Sequence, residues 1–487
     1  MGRGKKYAVQ TLLLVLIGVY SQTCHVSERP AFRSFSTFDC SRCKYIIKET
    51  DETIDGSLLK ILPGDYICFS SRIKHFASLL LTNIIGKPNQ PVIITNCDGP
   101  VQRAVQATEP FNLKFGKSKY FRVTGNSWEL GYGLKLSGGT IGLTLDNLST
   151  DFEIDNIEIF DAGFAGIMAK TDPSCDSATI RGQFVLRNAE FHDNFVHDVG
   201  GEGFYVGNSF YVSGVSLPCG IRFPHELENI RIHHNQVKNT GRESIQLGCA
   251  TSGAEIYSNT VEAYGLMNIS EQTNGIQIGE GTGGLCFSNK IMSGTGTGII
   301  VLGLGDNIVF NNLIIKSGSD GIFCDNRYTP KNGFKFINNT IVNPQGDGIR
   351  IYADSSYLMN IVLNNIIVNP ATYWDYQLGG MPNRNGFDAY LFLKDTSVHV
   401  YQSNNFFTQE INDVGFVDAH RMNFSLHKTS RAVYAGKDVS NYGIQFDFCN
   451  HYRPVSKNYD CGAFEYDSSF SVLGSYPCGV EPHPRTR

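Results

Sequence analysis

The sequence has little charge, few prolines and no excess of basic residues. Charged residues make up 18% of its 487 residues, and 41 basic against 46 acidic side chains give a net charge of -5. Soluble proteins average roughly 25% charged residues. A chain without a basic excess is not expected to bind nucleic acid through the phosphate backbone. The hydrophobic fraction of 41% excludes a disordered chain, which needs low hydrophobicity and high net charge.

Long apolar runs are also missing, apart from a short one at the start. Residues 11–20 follow Arg3, Lys5 and Lys6, and this run is shorter than the roughly 20 residues that span a bilayer. A charged stretch before a short apolar stretch predicts a secretory signal peptide, here residues 1–24. We therefore expect export to the extracellular space, periplasm or outer membrane, without a transmembrane segment. Cys24 is either removed with the signal or carries a lipid anchor.

Several catalytic and metal-binding motifs are absent. The chain has no HExxH, no GxSxG and no EF-hand loop, so no metalloprotease or serine-hydrolase site is predicted and no metal ligand is assigned. Glycine runs at 279–284 and 294–298 lead into strands, which argues against a nucleotide loop. Thirteen cysteines in an exported chain permit disulfides. Their pairing is not predicted, but Cys324 occupies an apolar strand position and is expected to be a buried thiol.

Glycine, in contrast, is abundant, with 51 residues, and it recurs in a repeat. Each repeat has an asparagine, a short β-rich run, a turn, and a glycine or serine followed by Ile-x-Ile or a similar strand. The asparagines are Asn194, Asn235, Asn259, Asn289, Asn312, Asn339, Asn365 and Asn405, with weaker members at Asn96, Asn126 and Asn156. A period in the twenties with short alternating β-runs is typical of a solenoid.

This pattern predicts an all-β fold, a parallel β-helix solenoid of about ten or more coils. The apolar residues of each Ile-x-Ile run should face inward and the middle residue outward, as in Ile245 and Leu247 around Gln246. The asparagines should form a ladder of amides from coil to coil. The glycines suit a tight bend, either through a positive φ or through close approach of backbones. We expect a cap at 25–60, the helix at 61–410, and terminal coils with a tail at 411–487.

The sequence resembles the right-handed parallel β-helix superfamily that shares the pectate-lyase fold. The similarity spans roughly residues 45–466 and is carried by LPGDYICF, NNTIVNPQGDGIRIY, SNNFF and the C-terminal DCGAFE at 460–465. It is most similar to exported bacterial proteins that end in such a motif, which we interpret as structural. The resemblance implies a right-handed solenoid and a role as a polysaccharide lyase, glycoside hydrolase, epimerase or non-catalytic adhesin. Relatives that act on uronic acids often use calcium, but no catalytic residue is transferred from them.

Stacked coils bring equivalent positions above one another, which predicts a polysaccharide groove where insertions at 171–182, 208–227 and 264–273 leave the coil. A lyase would use a base and a cation that neutralises the substrate carboxylate, and a hydrolase would use two carboxylates. The catalytic candidates are Lys170, Glu202, Tyr205, Arg242 and Glu243. The substrate-binding candidates are His225, Glu226, Gln246, Gln277 and Arg350.

Two classes of function remain open at this stage. The first is an exported enzyme, a lyase or a hydrolase, that acts on an extracellular polysaccharide. The second is a non-catalytic carbohydrate-binding or surface protein on the same scaffold. Calcium is the one cofactor that the clustered Asp, Glu and Asn residues could bind. We expect a monomer.

Overall fold

Short β-strands joined by tight turns make up nearly all of the regular structure. A computed structural model describes residues 38–467, with the exception of 75, 127–130, 326–332, 354–358, 371–386 and 455–457. The predicted signal peptide and Cys24 lie outside the described residues. Within the described part, no helix is long and apolar enough to cross a membrane.

The strands stack into three parallel sheets, which we call the first, second and third sheet in the order in which the chain visits them. The first sheet has fourteen strands: Tyr45–Ile46, Tyr66–Ser70, Val92–Cys97, Lys119–Thr124, Thr150–Asp155, Val185–His192, Glu226–His233, Ala250–Ser252, Ala254–Tyr257, Gly284–Phe287, Ile308–Phe310, Lys335–Ile337, Asn360–Leu363 and Val400–Ser403. The second sheet has eleven: Val101–Ala104, Leu134–Ser137, Ile157–Phe160, Phe195–Val199, Gln236–Thr240, Thr260–Glu262, Lys290–Met292, Leu313–Ile315, Thr340–Val342, Ile366–Val368 and Phe406–Thr408.

The third sheet contains the Ile-x-Ile strands. Its twelve strands are Thr53–Asp55, Leu79–Thr82, Phe111–Gly116, Ile141–Asp146, Ala165–Ala169, Phe204–Val206, Ile245–Leu247, Ile276–Ile278, Ile299–Val301, Ile322–Cys324, Ile349–Ile351 and Leu391–Leu393. Each strand pairs with the equivalent strand one coil away, and from Val92 onward each complete coil contributes a strand to every sheet, with Ala250–Ser252 as an additional strand of the first sheet. The chain is thus a right-handed parallel β-helix, and the prediction of ten or more coils is confirmed. The predicted start of the helix at residue 61 falls within the first coil, because Tyr45–Ile46 and Thr53–Asp55 already pair in the sheets.

Few elements lie outside the three sheets. Two antiparallel pairs are Val215–Leu217 with Gly220–Arg222, and Phe416–Asp418 with Asn423–Leu426. The short helices are the α-helices Phe387–Tyr390 and Ile411–Val414 and the 3-10 helices Cys40–Arg42, Ser177–Thr179, Ala419–Arg421 and Ser440–Tyr442. Disulfides Cys40–Cys97 and Cys43–Cys68 tie the first described residues to the first sheet, and Cys175–Cys219 joins two insertions. Cys324 is a buried free thiol, as predicted.

The core is one continuous apolar column inside the coils. The inward residues of the third-sheet strands are buried, for example Ile245 and Leu247 at 0% exposure. Pivot glycines such as Gly298 do not need a positive φ. A Cβ there would lie 2.6 Å from Cγ2 of Ile314 and 2.7 Å from the carbonyl oxygen of Gly321, so close approach is the reason for glycine.

The predicted asparagine ladder occupies the turn between the first and second sheets. From Asn194 to Asn365, each amide Nδ2 donates to Oδ1 of the asparagine one coil later, at 3.0 Å. The last acceptor in this series is Asn405. Asn126 and Asn96 are also in contact, because the Asn126 backbone N–H donates to Asn96 Oδ1 at 2.8 Å. The ladder prediction is wrong at Asn156, where the backbone is left-handed (φ 53°) and Ile157 takes the ladder position opposite Asn194.

The C-terminal motif lies outside the coils and packs on them. Cys461, Ala463 and Phe464 belong to an apolar cluster with outward residues of the second sheet. The Gly462 N–H donates to the carbonyl of Asn364 at 2.7 Å. Arg453 pairs with Glu465 at 2.5 Å, and both side chains are buried. Within this structure, the contacts of the motif hold the end of the chain against the last coils.

We expect Asn289→Ala to destabilise the helix by about 2–4 kcal/mol, since the change leaves several buried groups unpaired. Asn289 Oδ1 accepts from both the backbone N–H and the amide of Asn259, and its Nδ2 donates to the Ile256 carbonyl at 2.9 Å. Urea unfolding followed by circular dichroism measures the change. Asn412→Ala, on an exposed helical asparagine, is the control. An equal shift in both variants would contradict a structural role for the ladder.

Candidate functional site

The predicted site residues near the long insertions come together on the outer face of the third sheet. Tyr205 pairs with Met168 of the preceding coil and with Gln246 of the following coil, and Gln246 pairs with Gln277. The alternation of a strand turns these middle side chains away from the core. Lys170 follows the strand Ala165–Ala169 directly, at the edge where the insertion begins.

Cations and aromatic rings contact each other across this face. Lys170 Nζ lies 4.6 Å from the centroid of the Tyr205 ring and 2.7 Å from Asp172 Oδ1. The Arg242 guanidinium lies 5.2 Å from the centroid of Phe164, which in turn makes an edge contact with the Tyr205 ring at 6.2 Å. Tyr205 and Arg242 are partly exposed, so they are available to a ligand. We call Lys170, Tyr205 and Arg242 the cationic cluster.

The two glutamates lie beneath the cationic cluster and are almost inaccessible. Glu202 is 3% exposed and Glu243 is 1% exposed. Arg242 Nη1 lies 3.5 Å from Glu202 Oε1, and Asn274 Nδ2 donates to Glu243 Oε1 at 3.2 Å. Burial raises the pKa of Glu243 to about 7, and the negative charge of Glu202 adds to this effect. Burial also raises the pKa of Glu202, against the opposing effect of Arg242.

The two glutamine candidates, Gln246 and Gln277, differ in solvent exposure. Gln246 turns away from the core but is only 4% exposed. Its Nε2 donates to Ser209 Oγ at 2.6 Å, and the Tyr205 hydroxyl lies 3.1 Å from the same oxygen. Gln277 is partly exposed and accepts from Asn274 Nδ2 at 3.4 Å. Ser209, in the insertion, therefore determines how Tyr205 and Gln246 are presented.

His225, expected to contact substrate, occupies an interior position instead. It is 0% exposed, and both ring nitrogens contact backbone groups: Nε2 accepts from the Thr171 N–H at 3.0 Å, and Nδ1 lies 3.0 Å from the Glu226 carbonyl. Burial lowers the pKa of His225 to about 4. The histidine joins two insertions to each other and does not reach the surface. The neighbouring Glu226 carboxylate accepts from the Tyr211 hydroxyl at 3.0 Å.

Arg350 lies in the same column of outward residues but far from the cationic cluster. Five strand-to-strand steps separate it from Tyr205, which is about 24 Å at ~4.8 Å per step. The guanidinium is buried between Asp320, at 3.1 Å, and Asp347, at 2.9 Å. Arg350 was predicted to bind substrate, and in the structure it belongs to a buried ion-pair cluster.

Three residues of the site were not predicted: Phe164, Asp172 and Ser209. Asp172 and Ser209 stand near the start of the insertions that follow Lys170 and Gly207. The first residues of an insertion must lie beside the strand that it leaves, and this proximity is the signal that could have identified them. Phe164 precedes a third-sheet strand, at the level of the glutamates.

A possible divalent-metal group occurs elsewhere, on the first sheet, and consists of Glu153, Asp155 and His192. Arg122 already pairs with both carboxylates there, at 3.4 Å and 2.6 Å. His192 Nε2 donates to Glu153 Oε1 at 3.0 Å; burial lowers the pKa of His192, but hydrogen bonds to Asp193 and Glu153 outweigh it and raise this pKa to about 9. A metal would have to displace the proton of His192 and compete with Arg122 for the two carboxylates. The group is therefore best described as an ion-pair network.

Comparison with known proteins agrees with the fold. Residues 219–407 match the family model described as "Right handed beta helix region". No curated protein sequence matches the chain significantly. Among solved structures, an alginate lyase from Paenibacillus sp. str. FPU-7 is 13% identical, with a TM-score of 0.39 over 63% of this chain and 98% of that one.

Two further solved structures are similar to this chain over most of its length. Pectate lyase Pel9A is 12% identical, with a TM-score of 0.46 over 87% of this chain and 97% of that one. The lacto-N-biosidase from Eubacterium ramulus is 12% identical, with a TM-score of 0.45 over 72% of this chain and 63% of that one. At these identities the similarity concerns the fold alone.

We expect the stability contributed by His225 to be lost in acid. Its pKa is about 4 in the folded protein and about 6.5 when unfolded, so the unfolded chain binds more protons between these values and stability falls as the pH drops. His225→Phe keeps a ring against Phe184 but does not titrate. The stability difference between wild type and this variant should shrink by as much as about 3 kcal/mol from neutral pH to pH ~4.

Denaturant unfolding at several pH values measures this difference. His420→Phe, at an exposed histidine, is the control and should follow the wild-type curve. A difference between wild type and His225→Phe that does not change with pH would contradict a neutral, buried His225.

Proposed function

We propose that the chain is an extracellular enzyme that cleaves a uronic-acid-containing polysaccharide by β-elimination at the cationic cluster. The observation that carries this proposal is the vertical order of charge at the site. Tyr205 and Arg242 form its partly exposed layer, Lys170 is 8% exposed beside the Tyr205 ring, and the carboxylates of Glu202 and Glu243 are buried more deeply. A surface of cations beside an aromatic ring suits a negatively charged sugar.

In the proposed reaction, Arg242 binds the sugar carboxylate. Neutralising this group makes the neighbouring C5–H more acidic, because the negative charge that forms on proton removal spreads onto the carboxylate. The reactive form of Tyr205 is the phenolate, which takes the proton from C5 and, as the phenol so formed, returns it to the glycosidic oxygen on C4. The C5–H and C4–O bonds break and a C4=C5 double bond forms, so no water or oxidant is consumed. Lys170, beside the Tyr205 ring, offsets the negative charge that develops on the substrate.

The burial of the glutamates favours this reaction over hydrolysis. A glycoside hydrolase places two carboxyl groups on either side of the glycosidic bond, so both must reach the substrate. Glu202 and Glu243 are 3% and 1% exposed, and each has an Oε2 atom that solvent does not reach.

The first test is a substrate screen with alginate, polygalacturonate and a neutral xylan. Ultraviolet absorbance reports the unsaturated product of elimination, and a reducing-end assay reports every cleavage. We expect both signals to rise together on an acidic polymer and neither to rise on xylan. Reducing ends without absorbance would indicate a hydrolase. Silence in both assays with retained binding of the acidic polymer would indicate a non-catalytic carbohydrate-binding protein.

The second test concerns the residues. Tyr205→Phe and Arg242→Ala should each lower kcat/KM by about 10²-fold or more, because they remove the proton carrier and the charge that stabilises the transition state. Tyr452→Phe, on a tyrosine that is 72% exposed, is the matched control and should retain activity. Thermal unfolding verifies that each variant is folded. Wild-type kcat in Tyr205→Phe would exclude this tyrosine as the proton carrier.

A further inference from the structure

Two carboxyl groups under the cationic cluster lack the partners that buried acceptors normally have. Glu202 and Glu243 occupy equivalent positions on adjacent coils, and the Gly203 N–H donates to the Glu243 carbonyl at 3.0 Å. In each side chain, the buried Oε2 has no hydrogen-bond partner within the described part of the chain. In proteins, the large majority of buried polar atoms have a hydrogen-bond partner, so two oxygens without one on neighbouring coils require an explanation.

The charges that face this pair do not balance two carboxylates. Arg242 contacts Glu202 at 3.5 Å, the neutral amide of Asn274 contacts Glu243 at 3.2 Å, and the backbone N–H of each glutamate lowers the pKa of its own carboxyl group. Lys170 acts on Glu202 through space, but its ammonium pairs directly with Asp172. One guanidinium therefore faces two buried carboxyl groups. The one negative charge that Arg242 does not balance is costly at such depth, and one bound proton makes the group of Arg242, Glu202 and Glu243 electrically neutral.

We propose that Glu202 and Glu243 share one proton between their unpartnered Oε2 atoms and act as positioning residues for Arg242. A shared proton supplies the donor that both oxygens lack. It leaves one negative charge, which holds the Arg242 guanidinium at the surface above the pair. The role of the pair in positioning Arg242 for substrate rests on the proposed function, whereas the presence of a shared proton does not depend on that function.

The electrostatic surroundings agree with this arrangement. Burial raises the pKa values of both glutamates, and that of Glu243 to about 7. Two interacting carboxyl groups titrate as a pair, with one proton held far above the usual range. Above pH ~7 the pair becomes doubly negative, and the net charge of the pair together with Arg242 changes from zero to minus one. The binding of an anionic sugar should then weaken.

Infrared spectroscopy tests the proton without any substrate. The carbonyl band of a protonated carboxylic acid should be present at pH ~6 and decrease by pH ~8. Burial raises the pKa of Glu465 to about 7 as well, so the band is assigned by subtracting variant spectra from the wild-type spectrum. Both Glu243→Gln and Glu202→Gln should remove the same component of the carbonyl band. In either variant Arg242 balances the charge of the one remaining carboxylate, which therefore does not bind the proton.

Glu52→Gln, at an exposed glutamate, is the control and should leave the band unchanged. Circular dichroism melting verifies that each variant is folded. A component that persists in Glu202→Gln would show that burial alone protonates Glu243, which overturns the sharing. A wild-type spectrum in which the Glu243 component does not change between these pH values would also overturn it.

The pH dependence of KM tests the positioning role on the acidic polymer that the screen identifies. If only the singly protonated pair supports binding, KM should rise about tenfold between pH ~6 and pH ~8. This rise in KM should be absent in Glu243→Gln. The kcat of the wild type should not change with pH in the way that its KM does. An identical rise in the variant would contradict the inference. If no polymer is cleaved, the proposed function fails, and the infrared result still decides whether the proton is shared.

Discussion

The asparagine ladder between the first and second sheets sets the geometry on which the rest of the molecule depends. Each amide bonds both to the next coil and to a backbone carbonyl of the preceding coil. Asn259 Nδ2, for example, donates to Oδ1 of Asn289 in the next coil and to the carbonyl of Ile232 in the preceding coil. A slip of one residue would break these bonds and turn every apolar side chain of that coil outward. The ladder therefore aligns the coils, and with this alignment Glu202 comes to lie beside the equivalent Glu243, and Tyr205 beside Gln246.

At the candidate site, this alignment produces layers of opposite charge. The carboxyl groups lie under the surface, the cations and the Tyr205 ring lie above them, and the first residues of the insertions lie at the side. Ser209 orients two of the outward side chains, and His225 links the insertions from below. A core that repeats regularly thus supports a site whose specific contacts come from segments that do not repeat.

The repeating part of the structure was predictable from the sequence, and the non-repeating part was not. Ladder asparagines and inward isoleucines recur at fixed spacing, so their local pattern already determines where they face. At Asn156 the pattern was misleading by one residue, because a left-handed asparagine and a ladder asparagine look alike in sequence. The burial of His225 depends on contacts between insertions, such as that with Thr171, and no periodicity encodes such contacts.

The packing of the C-terminal motif has a consequence for the order in which the protein can form. Outward residues of the second sheet, including Leu313, Val342 and Ile366, are buried only in combination with Ala463 and its neighbours. During synthesis from the N-terminus, successive coils can stack as they emerge, since each coil contacts only its immediate neighbours. The apolar strip stays uncovered until the final segment arrives. A nascent chain that still lacks residues 460–465 therefore exposes this apolar strip, to which other apolar surfaces can bind.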